Sequence, residues 1–202
     1  MIALGRRFIR NQRGATAVEF SFVMVPFFAL MFSIFENGFL LLCDDGVAHA
    51  NYTASRQVLI GAIQNNNTIT TATQYRDQLI CNPVAPLYKV VPTYIDCSKI
   101  IVDAQAIPNG GLFTAQNQSA DFYTSPGTNK FCLGNAGDIV MLRLFYPMPA
   151  YFPILTSAWL AMNGINSAGL TTINGQLVHV IVSATVFQAE PFGPGNTAKP
   201  GC

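Results

Sequence analysis

Charge is what this sequence has least of: Lys, Arg, Asp and Glu together make up 10% of its 202 residues, against about a quarter in an ordinary soluble domain. That is not the composition of a cytosolic enzyme. Histidine is nearly as scarce, and neither His49 nor His179 has a Ser or Cys partner at a spacing familiar from nucleophilic catalysis. No C-x-x-C occurs among the five cysteines, so a zinc site lacks its usual ligand pattern and no metal is expected. The glycine-bearing stretch Gly134–Asp138, GNAGD, has no phosphate-loop lysine. We therefore expect no enzyme activity and no cofactor. No period of the length that marks a solenoid or propeller is present either.

The few charges are unevenly placed. Arg6, Arg7, Arg10 and Arg13 supply four of the eleven basic residues before Gly14, which leaves the rest of the chain net acidic. Nothing beyond the leader offers the basic stripe that a nucleic-acid partner would need.

Apolar residues, by contrast, make up 50% of the chain. Their longest concentration is Phe20 to Leu42, FSFVMVPFFALMFSIFENGFLLL, with Glu36 as the single acid in its interior. As a helix rising about 1.5 Å per residue it spans roughly 35 Å, enough for the hydrocarbon layer. Pro26 is tolerable in a membrane helix, where neighbouring groups satisfy the freed carbonyl. Arginines before the span and Asp44 and Asp45 after it put residues 1–13 in the cytoplasm and the chain beyond Cys43 outside. A cleaved signal peptide would have a shorter apolar region and a small-residue cleavage site. The flank LLLCDD has no such site, and Leu42 stands where a lipoprotein signal needs a small residue.

The start of the chain carries a further pattern. A basic leader, Gly14, Glu19 five residues later and then the apolar run together resemble a type IV prepilin signal. The resemblance implies cleavage by a prepilin peptidase between Gly14 and Ala15, which makes Glu19 the fifth residue of the mature chain. A residue without Cβ at the cut lets the backbone enter a protease cleft in extended form. Read with the Glu19-Phe20 pair, GATAVEFSFVMVPFFALMFSIFENG is similar to the start of TadE-like pseudopilins, minor pilin-like proteins of the tight-adherence pilus. GDIVMLRLFYP (Gly137 to Pro147) and VSATVFQAEPF (Val182 to Phe192) resemble later parts of the same family. The likeness implies that Glu19 and Phe20 serve assembly with other pilins or pseudopilins at the bacterial inner membrane, the C-terminal part lying in the periplasm. It does not extend to the insertion-like loop 107–137 or to the Gly201-Cys202 end.

Beyond the membrane span the helical pattern continues, with Val47, Ala50, Ala54, Val58 and Gly61 three or four apart on one face. One helix from Ala15 to about Ile63 is expected, ended by the polar run Gln64 to Thr71. Thr71 is placed to cap a short helix whose Ala72, Tyr75 and Leu79 share a face. Three strands follow: around Ile100–Ala106, Asp138–Tyr146 and Leu177–Phe187, the last with Val178, Val180, Val182, Ala184 and Val186 on one side. Ile154, Leu155, Ala158, Trp159 and Met162 suggest a further short amphipathic helix. The chain is thus organised as a leader, 1–14, a long helix, 15–63, and an exported domain, 64–202. That domain is α+β, a small three-stranded antiparallel sheet covered on one face by the helix, in a pilin-like arrangement. Arg143 is expected to pair with Glu190 across neighbouring strands.

Of the five cysteines, Cys43 closes the membrane span, and Cys81, Cys97, Cys132 and Cys202 fall in the exported part. An oxidising compartment makes bridges the default, and four cysteines allow three pairings. Closeness in sequence favours Cys81–Cys97, leaving Cys132–Cys202 to hold the tail. The reading is a processed structural subunit of a tight-adherence pilus. Its alternative is an uncleaved signal-anchored binding or scaffold module that uses the loop Pro108–Gly137.

Overall fold

A computed structural model describes residues 15–64, 69–82, 91–107, 131–152, 170–173 and 175–191. Gly14, Cys202, most of the loop 107–137 and the helix expected around Ile154–Met162 lie outside them. The chain divides into two compact units, Met1–Phe39 with Ala150–Ala168, and Leu40–Pro149 with Gly169–Cys202.

Helix α1 runs through Ala15–Leu59 with Pro26 inside it. Over its first half the large apolar side chains point outward on every side, Phe20, Phe22, Val23, Val25, Phe27 and Leu30 among them. A helix apolar all round has no preferred core face and needs an apolar medium or partner. By length and composition α1 is able to cross a membrane. Its second half is different, because Val47, Ala50, Ala54 and Val58 are buried together with Cys43 and Asn51. After Leu59 the chain turns, and the buried Gln64 side chain folds back, its Nε2 donating to the Val58 carbonyl at 3.1 Å. The same carbonyl accepts the Gly61 N–H at 3.0 Å, so backbone and side chain together serve one of the carbonyls that lack an intrahelical partner at a helix C-terminus.

The short helix α2, Ala72–Tyr75, begins with a capping box: Thr71 accepts from the Gln74 N–H, and the Gln74 side chain accepts from the Thr71 N–H. It continues as a π-helical turn, Arg76–Ile80, which brings Cys81 to Cys97. Asp96 then starts a 3₁₀ turn, Cys97–Lys99, by accepting from the Ser98 N–H. Hydrogen bonds from Ser98 hold the Asp96 carboxyl below its ordinary pKa.

The sheet is antiparallel, with β1 (Ile101–Ile107), β2 (Ile139–Pro149), β3 (Leu170–Ile173) and β4 (Gln176–Gln188) in the order β1-β2-β4-β3. Among the described residues it has four strands where the sequence suggests three. The added strand, β3, is the short partner of a hairpin, with Gly175 in the left-handed region (φ 77°) at its turn. Glycine has no Cβ to oppose that conformation. An Asn-Gly pair, Asn174-Gly175, is the local hairpin signal, but Leu170–Ile173 is too short and too rich in threonine to show a period of its own.

The face of the sheet that α1 covers is fixed by Asn51, whose Nδ2 donates to Ser183 Oγ at 3.1 Å and to Thr185 Oγ1 at 2.9 Å. In the β2–β4 register Leu144 lies opposite Ser183 and Leu142 opposite Thr185. Opposed residues share a face, so this side also carries Val140, Leu142, Leu144, Tyr146 and Met148, all buried. The valine row of β4 therefore lies on the other side, where Val178 is buried and Val186 is 55% exposed.

Candidate functional site

Of the residues expected to mark cleavage and assembly, Ala15, Glu19 and Phe20 lie in the first described turns of α1, Ala15–Leu59, and Gly14 lies outside the described residues. Glu19 and Phe20 are both exposed, neighbours of the exposed Val18 and Phe22. A carboxylate standing on an otherwise apolar helix surface is costly in lipid unless a partner or the interface receives it.

Glu36, the single acid inside the apolar run, is handled by the chain itself. Glu36 is only 8% exposed, and its Oε1 accepts the backbone N–H of Tyr151 at 3.1 Å. Two aromatic contacts flank this bond. Phe152 stacks on Phe32 with ring centroids 4.8 Å apart, and Tyr151 meets Phe39 edge-on at 5.9 Å. Phe32, Glu36 and Phe39 are four and three residues apart and so line one face of the helix. Phe32 also stacks on Phe28, which extends the row by another turn. Glu36 is visible in the sequence as an isolated acid, but nothing comparable marks Tyr151 and Phe152. The only local hint is an aromatic pair immediately after Pro147, Met148, Pro149 and Ala150.

Arg143 does not pair with Glu190. Its Nε donates to Asp103 Oδ2 at 2.8 Å, and its Nη2 reaches the same oxygen. The register explains this, because Asp103 lies directly opposite Arg143 on β1, while the β4 neighbour is Ala184. Glu190 falls beyond the end of β4, where its backbone N–H donates to the Leu59 carbonyl. Asp103 is 1% exposed and also accepts from Gln105 Nε2 at 3.2 Å. A buried ion pair with this much hydrogen bonding reads as a structural device that ties β1 to β2.

Cys81 and Cys97 are joined by a disulfide across 16 residues. Cys132 is disulfide-bonded as well, to a partner outside the described residues, while the buried Cys43 is a free thiol. His49 is exposed and His179 partly buried. Among the described residues no three His, Cys, Asp or Glu side chains are grouped so as to hold a metal ion.

Searches of curated proteins and of solved structures find no match. A family model does match: residues 14–56 fit the model described as TadE-like protein, so the segment that opens at Gly14 and makes up most of α1 is TadE-like in sequence.

Proposed function

We propose that the chain is a pseudopilin of a tight-adherence pilus, made as a precursor and cut by a prepilin peptidase between Gly14 and Ala15. The observation that carries this reading is the junction at Gly14: the TadE-like match begins there, directly after the basic leader, whose last arginine is Arg13. Cleavage there leaves a mature chain that starts as helix and is apolar almost from its first turn.

The helix anchors the protein in the inner membrane, with the leader cytoplasmic and the sheet-bearing part periplasmic, and packs laterally against the helices of other pilins. Glu19 then has a defined role. Four residues from the new terminus, it pairs with the N-terminal ammonium of a neighbouring subunit as the helices come side by side. In a low-dielectric setting such a pair is favoured only with both charges present, and removing one strands the other. The role is structural and non-enzymatic.

Glu19→Gln and Glu19→Ala test it. Both variants are expected to insert in the membrane normally but to lose piliation or co-purification with partner pilins. An exposed interfacial glutamate would tolerate the change with little effect. Pili assembled at parental levels by both variants would remove the assembly role.

A further inference from the structure

We infer that Tyr151 and Phe152 form a membrane-embedded corner, seated in the outer leaflet against α1 and held there by Glu36. The inference rests on the membrane-spanning reading of α1 given above. The apolar run ends at Leu42, and along a helix Phe39, Glu36 and Phe32 lie about 4.5, 9 and 15 Å inside that end. One leaflet contributes roughly 15 Å of hydrocarbon. Whatever touches these three residues shares their depth, and Tyr151 and Phe152 are among the residues that touch them.

The hydrogen bond has the chemistry such a corner requires. Non-helical backbone entering hydrocarbon exposes N–H groups that water no longer satisfies, and it is tolerated only where protein supplies acceptors. A carboxylate at the same depth lacks donors for the same reason. The Tyr151 N–H and Glu36 Oε1 solve both problems with one bond. The side chains agree with a lipid surround. Phe35, on the neighbouring part of the helix, is 67% exposed and Tyr151 is 58% exposed. Tyrosine is a residue that membrane interfaces favour. A consequence for assembly is that the helix face lined by Phe32, Glu36 and Phe39 is already occupied by the protein's own chain. Lateral contacts with other subunits are left to the remaining faces and to the turns nearer Glu19.

Depth-dependent quenching tests the corner. Three single-tryptophan forms of the full chain are made with Trp159 replaced by Phe: Phe152→Trp, Phe35→Trp and Tyr52→Trp. Each is reconstituted in phosphatidylcholine vesicles whose acyl chains are brominated in their distal half, at the depth of Phe32 and Phe35. Phe35→Trp reports lipid at the depth of Glu36, and Tyr52→Trp, exposed ten residues beyond Leu42, reports the water side. Phe152→Trp is expected to lose emission to the same degree as Phe35→Trp, with Tyr52→Trp unaffected. Glu36→Leu should then reduce the quenching at position 152, while Glu36→Gln, which retains an acceptor, should preserve it. Quenching of Phe35→Trp without quenching of Phe152→Trp overturns the corner and leaves the spanning helix standing. No quenching of Phe35→Trp overturns the membrane reading and the corner with it.

Discussion

Replacing Arg143 with methionine removes the guanidinium and leaves its partner where it is. Among the described residues the Asp103 carboxylate, 1% exposed on the central part of β1, then keeps only the Gln105 amide at 3.2 Å. Stranding one member of a buried ion pair costs about 3–5 kcal/mol. For a folded unit of this size each kcal/mol moves the midpoint by roughly 2–4 °C, so the expected loss is on the order of 6–20 °C. Circular dichroism of the detergent-solubilised full chain during heating reads it directly. The double variant Asp103→Leu/Arg143→Met leaves no unpaired charge, because apolar groups then face each other across the β1–β2 ladder. It should recover most of the loss, since a buried pair exchanged for apolar groups of similar size is often neutral. A single variant within about 0.5 kcal/mol of the parent, the range of an ordinary surface change, would refute the reasoning. So would a double variant as unstable as the sum of the two singles.

Gly134→Ala should destabilise the fold by about 1–3 kcal/mol, since Gly134 has φ 67° and an added Cβ would stand 2.8 Å from the Ala106 Cβ; urea unfolding measures this. Tyr75→Phe should be neutral or stabilising by up to about 1 kcal/mol, because the Tyr75 hydroxyl is buried without a hydrogen-bond partner among the described residues and burial pushes its pKa up. A clear loss in midpoint on that substitution would show an overlooked partner. Cys81→Ser together with Cys97→Ser opens a loop of 16 residues and should lower stability by about 3 kcal/mol. Non-reducing peptide maps should link Cys81 to Cys97 and, as the remaining pair, Cys132 to Cys202.

Much of the fold was legible because it repeats a local rule. Val47, Ala50, Ala54 and Val58 recur at helical spacing and are the buried face of α1. Val102 and Ala104 alternate and are buried on β1, and Thr71 caps α2 as its position before Gln74 suggests. What was not legible depends on register between distant segments. The ion pair of Arg143 is decided by how β1 aligns with β2, forty residues apart in the chain, and no local pattern distinguishes Asp103 from Glu190. Strand β3 is short enough that pairing with β4, not its own composition, makes it a strand. The bond between Tyr151 and Glu36 joins residues 115 apart. Its acceptor is a side chain the sequence exposes as odd, but its donor is a backbone N–H, which every residue except proline possesses and which therefore leaves no trace in the sequence. The valine row of β4 also misleads. It is the more apolar row of that strand, yet α1 lies over the face bearing Ser183 and Thr185, where β2 supplies the buried Val140, Leu142, Leu144, Tyr146 and Met148 and Asn51 binds both hydroxyls.

The claim on which the proposed function depends is the cut between Gly14 and Ala15, and intact-mass analysis of the protein from the membranes of its native host tests it most directly. The expected species lacks residues 1–14 and begins at Ala15, and Gly14→Val is expected to preserve the full-length precursor. A mature protein that still carries Met1, in the presence of an active prepilin peptidase, would contradict it.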